Sequence, residues 1–375
     1  MYFKKAHYLF SILMVTGIIC LLPSCVEEPL DKKITVDRQP LLVSLTDRVI
    51  LPGYEKLHQQ VTGLQQTAAA FTENPNPITL EATRSSFSAT YLSWQSVAFF
   101  EFGPAFEQTL RAEMNTFPTD NFSIENNVES GEFSLTGFST LNRRGLPAMD
   151  YFLYGIGEND EATLEKYTSD IYAQNRKDYL LAITDIMVAK VDEVYQGWLS
   201  SGNNYRAEFI SKDGTDVGSS IGQMVNSLSQ YLEQFTRDAR IGIPLGKRSQ
   251  GTIIARNVEA YYSGLSVSLA VKNVAGIRNF YLGTDGQSNG IGFYHFLQDL
   301  KAGNDGMLAE RILDQLDLAL SQTEAMPSPL SEAMDQNSSL VDAAHTELQK
   351  LVIIIKTEMP SALGVLITYQ DNDGD

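Results

Sequence analysis

Residues 164–198, LEKYTSDIYAQNRKDYLLAITDIMVAKVDEVYQGW, indicate the fold class of this chain. Apolar residues recur here in steps that are mostly three, four or multiples of these, which is the spacing of one helix face. The stretch therefore predicts a long amphipathic helix. Its apolar stripe consists of Leu164, Tyr167, Ile171, Leu180, Ile183, Met187, Val191, Val194 and Trp198.

Helical patterns continue on both sides of this stretch. Alternating strand patterns are scarce, although the β-branched and aromatic residues at 365–369 fit a short C-terminal strand. The sequence therefore predicts an all-α protein, built as two tandem helical bundles. The further helical runs cover residues 41–71, 80–102, 221–235, 308–320 and 340–359.

Polar and glycine-rich segments divide these helices. Asn74–Pro77 separates the first two, residues 115–140 are typical of an ordered loop or short turns, and residues 200–219 mark a boundary between the bundles. The predicted divisions are a lipoprotein signal peptide at 1–24, a tether at 25–39, an N-terminal bundle at 40–205 and a C-terminal bundle at 206–375.

The N-terminus has the order of an export signal. Lys4 and Lys5 precede an uncharged, largely apolar run over residues 8–22, and Leu22-Pro23-Ser24-Cys25 resembles a lipobox. The run is shorter than the ~20 residues of a membrane span, which favours a cleaved signal over a transmembrane anchor. We therefore expect lipidation of Cys25, with the chain held on the bacterial envelope, in the outer membrane, facing the periplasm or the cell exterior.

Charge and cysteine usage exclude several classes of function. Removal of residues 1–24 takes away two lysines and no acid, so the net charge of −18 becomes −20. A chain this acidic repels phosphate, and nucleic acid is not an expected partner. Because Cys20 leaves with the signal and Cys25 is the anchor, the folded body has no thiol chemistry. The H-E-x-x-H, phosphate-loop and G-x-S-x-G motifs are absent from the sequence.

The string at residues 145–155, GLPAMDYFLYG, is the most informative about function. Gly145 can end the preceding segment, and Pro147 suits the first turn of a new helix. Asp150 would then lie near the positive end of that helix. From the residues alone, a capped helix start is the simplest interpretation.

This string resembles the signature of imelysin-like proteins, G-x-H-x-x-E followed by an aromatic and aliphatic run that ends in glycine. Four more segments resemble the family in the same order, and together they cover roughly residues 40–375. They are Arg48–Tyr54, Trp94 with Phe100–Pro104, Glu259–Ser266, and Lys356–Val365 with Asp371–Asp375.

The chain departs from the family pattern at two positions. Pro147 stands at the family's histidine and Asp150 at its glutamate. The family was named for a proposed peptidase activity in which that histidine and glutamate bind a metal. Since proline has no donor or acceptor in its side chain, the implied metal site loses a ligand here. The family's association with iron-regulated uptake at bacterial membranes does not depend on the histidine.

The candidate ligand site is a polar cleft between the two halves. Crowded carboxylates raise one another's pKa, and an arginine at 143 or 144 would balance their charge. Asp371 and Asp373 also resemble the front of a calcium loop that lacks its closing glutamate, with a role as hydrogen-bond acceptors as the alternative. The expected members are Trp94, Glu101, Arg143, Arg144, Gly145, Pro147, Asp150, Asp371 and Asp373.

The expected function is that of a binding or accessory protein in iron or haem acquisition. The candidate ligands are an iron, calcium or zinc ion, or haem, and outer-membrane uptake proteins are the candidate partners. Two alternatives stay open. One is a metallopeptidase whose site has been rebuilt without the histidine, and the other is a structural surface lipoprotein. The sequence favours a role without catalysis but does not decide it.

Overall fold

The computed structural model describes residues 36–286, 289–303, 305–336 and 338–369. Within these residues the chain forms helices, turns and irregular segments, and no strand, which confirms the predicted all-α class. Cys25 and the predicted signal peptide lie outside the described residues. The α-helices are α1 (Gln39–Leu45), α2 (Leu51–Glu73), α3 (Pro77–Trp94), α4 (Pro104–Glu107), α5 (Leu110–Met114), α6 (Asn121–Ser130), α7 (Gly145–Asp150), α8 (Asp160–Thr168), α9 (Ala173–Trp198), α10 (Tyr205–Ser211), α11 (Ser220–Gln230), α12 (Ser266–Leu282), α13 (Phe293–Asp299), α14 (Leu308–Glu324), α15 (Leu330–Gln336), α16 (Ser338–Ile353) and α17 (Met359–Leu363).

Several of these helices continue into π-helical turns. π-helical segments are rare in proteins and are frequent at functional sites, because the wider turn redirects the side chains that follow. One follows α7 directly after Asp150, and a twelve-residue one continues α11. The π-helical segments are Thr46–Ile50, Tyr151–Gly155, Tyr231–Gly242 and Ile354–Glu358, and 3₁₀ turns cover Phe138–Arg143 and Ala255–Asn257.

The long helices pack in two groups. In the first half of the chain, α2 packs against both α3 and α9. In the second half, α14 packs against α12 and α16, and α16 also contacts the π-helical segment 231–242. One continuous cluster of buried apolar side chains runs through both groups. The division into separate bundles at 205/206 stays a prediction, for which limited proteolysis within 200–219 is the test.

The helix expected over residues 80–102 ends at Trp94, so the prediction is wrong beyond that residue. The hydroxyl of Ser227 donates to the carbonyl oxygen of Phe99 (2.7 Å) and accepts the N–H of Glu101 (3.0 Å). A side chain from α11 thus forms hydrogen bonds with backbone groups that would otherwise pair within a helix. Phe99 and Phe100 turn into the core, and Glu101 lies outside any helix.

Two other predicted boundaries are corrected by local capping. The run at 164–198 is two helices, α8 and α9, because Asp170 accepts the N–H of Tyr172 (2.8 Å) between them. Ile171 falls in this break and is 86% exposed, so it does not belong to the apolar stripe. Residues 115–140 contain α6, which Asp120 caps by accepting the N–H of Ser123 (3.0 Å).

The C-terminal strand predicted at residues 365–369 does not form. The segment runs beside α11, where the amide of Asn226 acts in place of a neighbouring strand. Its Nδ2 donates to the carbonyl oxygen of Leu366 (2.8 Å), and its Oδ1 accepts the N–H of Thr368 (2.7 Å). The backbone pairing that a strand needs is thus supplied by one side chain.

The described helices were also compared with the requirements of a membrane span. None of them combines the length and the apolar character that crossing a bilayer requires.

Candidate functional site

The start of α7 is determined by Gly145 and Arg144. Gly145 has φ +74°, and a Cβ atom there would lie 2.6 Å from the carbonyl oxygens of Glu113 and Met114. Only glycine fits such a close approach in this conformation. The buried guanidinium of Arg144 pairs with Glu113 through hydrogen bonds of 2.6 and 2.8 Å, and it donates to the carbonyl oxygen of Leu135 (2.6 Å). These contacts anchor α7 at its N-terminus.

Asp150 is the last residue of α7, which has only six residues. The prediction that Asp150 lies near the positive end of this helix is therefore wrong. Its carboxylate accepts the backbone N–H groups of Tyr262 (2.9 Å) and Ser263 (3.1 Å), one on each oxygen. Burial raises the pKa of Asp150 to about 6, although these hydrogen bonds act in the opposite direction. Asp150 therefore joins α7 to the segment that precedes α12.

A cavity of about 220 Å³ lies beside this carboxylate. One wall comes from α7 and the other from residues 256–262 of the second half. Arg256 is exposed here, and among the described residues no acceptor pairs with its guanidinium. The cavity therefore combines a hydrogen-bonded buried carboxylate with an available cation. Its lining residues are Phe117, Pro118, Thr119, Pro147, Asp150, Arg256, Val258, Ala260, Tyr261 and Tyr262.

A buried polar network includes Glu259, the residue between two that line this cavity. Glu259 and Arg240 are 1% and 3% exposed and form an ion pair. Glu259 Oε1 also accepts from the side-chain amides of Gln95 (3.0 Å) and Asn115 (2.6 Å). Arg240 further donates to the side-chain oxygen of Asn273 (3.1 Å). The network thus ties residues after α3 and α5 to the second half of the chain.

Comparison with known proteins assigns the family. The model of the family Imelysin matches residues 50–354, which is most of the chain. This chain belongs to the imelysin family. The resemblance noted in the sequence is therefore confirmed.

One curated relative of this imelysin-family chain is named for iron regulation. Iron-regulated protein A of Synechococcus elongatus is 23% identical over 299 residues, which cover 76% of this chain and 74% of the relative. A solved structure from Parabacteroides distasonis, whose name refers to an iron-regulated protein A precursor, has a TM-score of 0.72 at 18% identity and covers 89% of this chain and 97% of that one. An imelysin-like protein from Psychrobacter arcticus has a TM-score of 0.67 at 16% identity and covers 90% and 99%. These structures share the fold.

The metal site implied by the imelysin resemblance does not fit the residues at α7. Pro147 lines the cavity but offers no ligand atom. Each oxygen of Asp150 already accepts one N–H group, and no other carboxylate, histidine or cysteine is among the described residues that line the cavity. A cation would therefore find a single carboxylate there, beside the guanidinium of Arg256. Over the part of the chain that the structure describes, no group of three or more His, Cys, Asp or Glu side chains is placed to hold a metal ion.

Other predicted site residues do not gather around Asp150. Glu101 lines a separate groove, where its nearest partner is the N–H of Arg111 (3.2 Å) rather than Arg143 or Arg144. Arg144 is committed to Glu113, and Arg143 lies 3.5 Å from Asp120. Trp94 is a core residue, 1% exposed. Asp371 and Asp373 lie outside the described residues.

Sequence reasoning missed most of the buried network. Glu259 was noted only as part of a resemblance, and Gln95, Asn115, Arg240 and Asn273 were not singled out. Glu259 had one usable signal, since it is a charged residue between the apolar residues Val258 and Ala260, whereas Arg240 closely follows two other charged residues. Buried charges of this kind need partners, but the sequence does not say which.

Proposed function

We propose that this imelysin-family chain is a lipid-anchored cell-envelope protein that serves as a binding or accessory protein in iron acquisition. Family membership and a relative named for iron regulation support the link to iron. The lipobox-like residues at 22–25 support the anchor. The cavity beside Asp150 is the proposed ligand site.

The lining of the cavity determines the class of ligand that we propose. Because Asp150 is the one carboxylate among its described lining residues and Arg256 is a cation, a bare metal ion would find few ligands there. The planar guanidinium of Arg256 suits a carboxylate, which it can bind through two hydrogen bonds. The cavity therefore favours a ferric chelate whose organic part carries carboxylates.

Cavity size separates this ligand from haem. About 220 Å³ is below the ~300–1,000 Å³ of pockets that enclose drug-sized ligands. A small chelate suits such a cavity better than a porphyrin does. The metallopeptidase alternative would need a rebuilt ligand set, which the residues lining this cavity do not supply.

Calorimetry with ferric citrate tests the proposed ligand. We expect the mature chain, residues 25–375, to bind ferric citrate, and Arg256→Gln to weaken binding at least tenfold because it removes a charge-assisted hydrogen bond. Arg278→Gln is the matched control, since Arg278 pairs with Asp317 and does not line the cavity. Binding of zinc or haem that is tighter than that of ferric citrate and unaffected by Arg256→Gln would contradict the proposal.

The anchor and the biological role need separate tests. Cys25→Ser should abolish incorporation of labelled palmitate and release the chain from the membrane fraction, because acyl chains alone would hold it there. A strain that lacks the chain should grow poorly when ferric citrate is the limiting iron source. Continued labelling of the Cys25→Ser variant would refute the lipobox.

A further inference from the structure

A second concave surface lies apart from the Asp150 cavity, where residues 101–112 meet α11 and the extended segment 365–369. It encloses about 710 Å³, roughly three times the volume beside Asp150. None of its lining residues belongs to α7 or to residues 256–262. We call it the Glu101 groove. Its volume falls within the ~300–1,000 Å³ of ordinary ligand pockets.

A carboxylate without a salt-bridge partner lies in this groove. Glu101 Oε2 accepts only a backbone N–H, that of Arg111 at 3.2 Å. The guanidinium of Arg111 instead lies over the ring of Phe235, 4.0 Å from its centroid. Among the described residues, no lysine or arginine forms an ion pair with Glu101. The carboxylate therefore keeps capacity for a further donor, and a cationic donor would offset the cost of its burial.

The walls of the groove are largely apolar and include two exposed rings. Phe106 and Phe138 are 67% and 76% exposed, although each lines the groove. Exposed rings grouped around a concavity are typical of binding surfaces, where an apolar partner removes them from water. Such rings also attract cations through their faces.

We propose that the Glu101 groove binds an amphipathic cation, with an ammonium or guanidinium group against Glu101 and an aromatic or aliphatic body against Phe106 and Phe138. The charges of the lining residues indicate that the ligand is a cation. Glu101 and Glu107 outnumber Arg111, the one cation among the described residues that line the groove, whose guanidinium lies over the ring of Phe235. This excess of negative charge disfavours an anion. The proposal does not depend on the iron-related function proposed above.

The pH dependence of binding follows from the groups around Glu101. Burial raises the pKa of Glu101 to about 7, with the charge of Arg111 acting against the shift. The other titratable groups near it are Glu107 and Tyr369, which line the same groove, and the buried hydroxyl of Tyr54. A cation binds the ionised carboxylate, so affinity should rise by roughly tenfold between pH 6 and pH 8.

Calorimetry with tryptamine on the mature chain tests the proposal. We expect tryptamine to bind, and indole-3-propionate, a comparable body with the opposite charge, to bind at least tenfold more weakly. Glu101→Gln should weaken tryptamine binding at least tenfold and remove the pH dependence. This variant keeps an oxygen that can accept the N–H of Arg111, so the fold should be retained. Phe106→Ala and Phe138→Ala, at exposed positions, should each weaken binding without loss of folded chain.

Four results would overturn the proposal. The first is no tryptamine binding at pH 8 to the folded chain. The second is equal binding of indole-3-propionate, and the third is an affinity that Glu101→Gln leaves unchanged. A dimer in analytical ultracentrifugation that Phe106→Ala abolishes would assign the groove to a second copy of the chain instead. None of these outcomes bears on binding of ferric citrate, so the two proposals fail separately.

Discussion

At Asp150, burial raises the pKa of the carboxylate, whereas hydrogen bonds lower it. Burial raises its pKa to about 6, above the ~3.9 of an unfolded chain. The folded chain therefore keeps the proton to higher pH than the unfolded chain, and the contribution of this group to stability falls as pH rises from about 4 through 6. Burial of the ionised carboxylate costs free energy, and groups whose pKa is raised in this way are frequent at functional sites.

The first prediction concerns this pH dependence. Asp150→Asn does not titrate, so the stability advantage of the unaltered chain over the variant should fall by about 2 kcal/mol between pH 4 and pH 7. Urea unfolding followed by circular dichroism at several pH values measures the difference. A difference that stays constant over this range would show that the pKa of Asp150 is not raised in the folded chain.

A second prediction at the residue scale concerns Gly145. Gly145→Ala should lower the free energy of unfolding by more than the ~1–3 kcal/mol that an unfavourable φ costs by itself, because its Cβ would also meet two carbonyl oxygens at 2.6 Å. Gly364→Ala is the control, since Gly364 has φ +71° and open space around it. Equal losses in the two variants, measured by urea unfolding, would exclude the close approach as the cause.

At the scale of elements, Asn226 on α11 holds the C-terminal segment that lies along the Glu101 groove. Its amide makes two backbone hydrogen bonds, with Leu366 and Thr368, which together stabilise by about 1–3 kcal/mol. Both Asn226 and Thr368 line the groove, so the same contact shapes its wall. A helix side chain thus decides the path of a segment that has no regular structure of its own.

The third prediction follows from these two bonds. Asn226→Ala should speed hydrogen exchange at the amide of Thr368 by roughly tenfold or more, because that N–H loses its acceptor. Exchange measured by mass spectrometry on C-terminal peptides reports the change. Asn76→Ala, which removes the cap of α3, should leave that amide unchanged. Unaltered exchange at Thr368 in Asn226→Ala would mean that other contacts hold the segment.

At the scale of the whole molecule, the pair of Arg240 and Glu259 joins distant parts of the chain. Gln95 and Asn115 reach it from the first half, and Asn273 reaches it from α12. A buried pair of this kind adds little net stability over an apolar replacement, but loss of one partner leaves an uncompensated charge. Its contribution is therefore to hold the two groups of helices in one arrangement.

The fourth prediction tests this pair. Glu259→Leu should destabilise the chain by about 3–5 kcal/mol, since Arg240 would stay buried without its counter-charge. Asp47→Ala breaks the exposed pair with Arg206 and should cost no more than about 1 kcal/mol. The double variant Glu259→Leu with Arg240→Met should recover part of the loss. Equal effects of Glu259→Leu and Asp47→Ala in urea unfolding would contradict the role assigned to the network.

The candidate site was predictable only in part. The sequence singled out residues 145–155, and two of them, Pro147 and Asp150, line a cavity against residues of the second half. The expected gathering of Glu101 and Arg144 around Asp150 was wrong, because Arg144 pairs with Glu113 and Glu101 lies in a different groove. Charge attraction can be anticipated from residue types, whereas the choice among several possible partners depends on where the helices place them.

The amino-acid sequence by itself determined the all-α class, the positions of most long helices and the resemblance to the imelysin family. Each of these depends on local order, in which apolar residues repeat every three or four positions and short strings keep their sequence. Tertiary structure alone decided that α3 ends at Trp94, how the backbone of residues 365–369 is hydrogen-bonded, and which groups surround Asp150. Those features depend on hydrogen bonds between residues more than one hundred positions apart, such as Asp150 with Tyr262 and Asn226 with Leu366. Contacts at such separations arise from the packing of whole helices, and no local pattern encodes them.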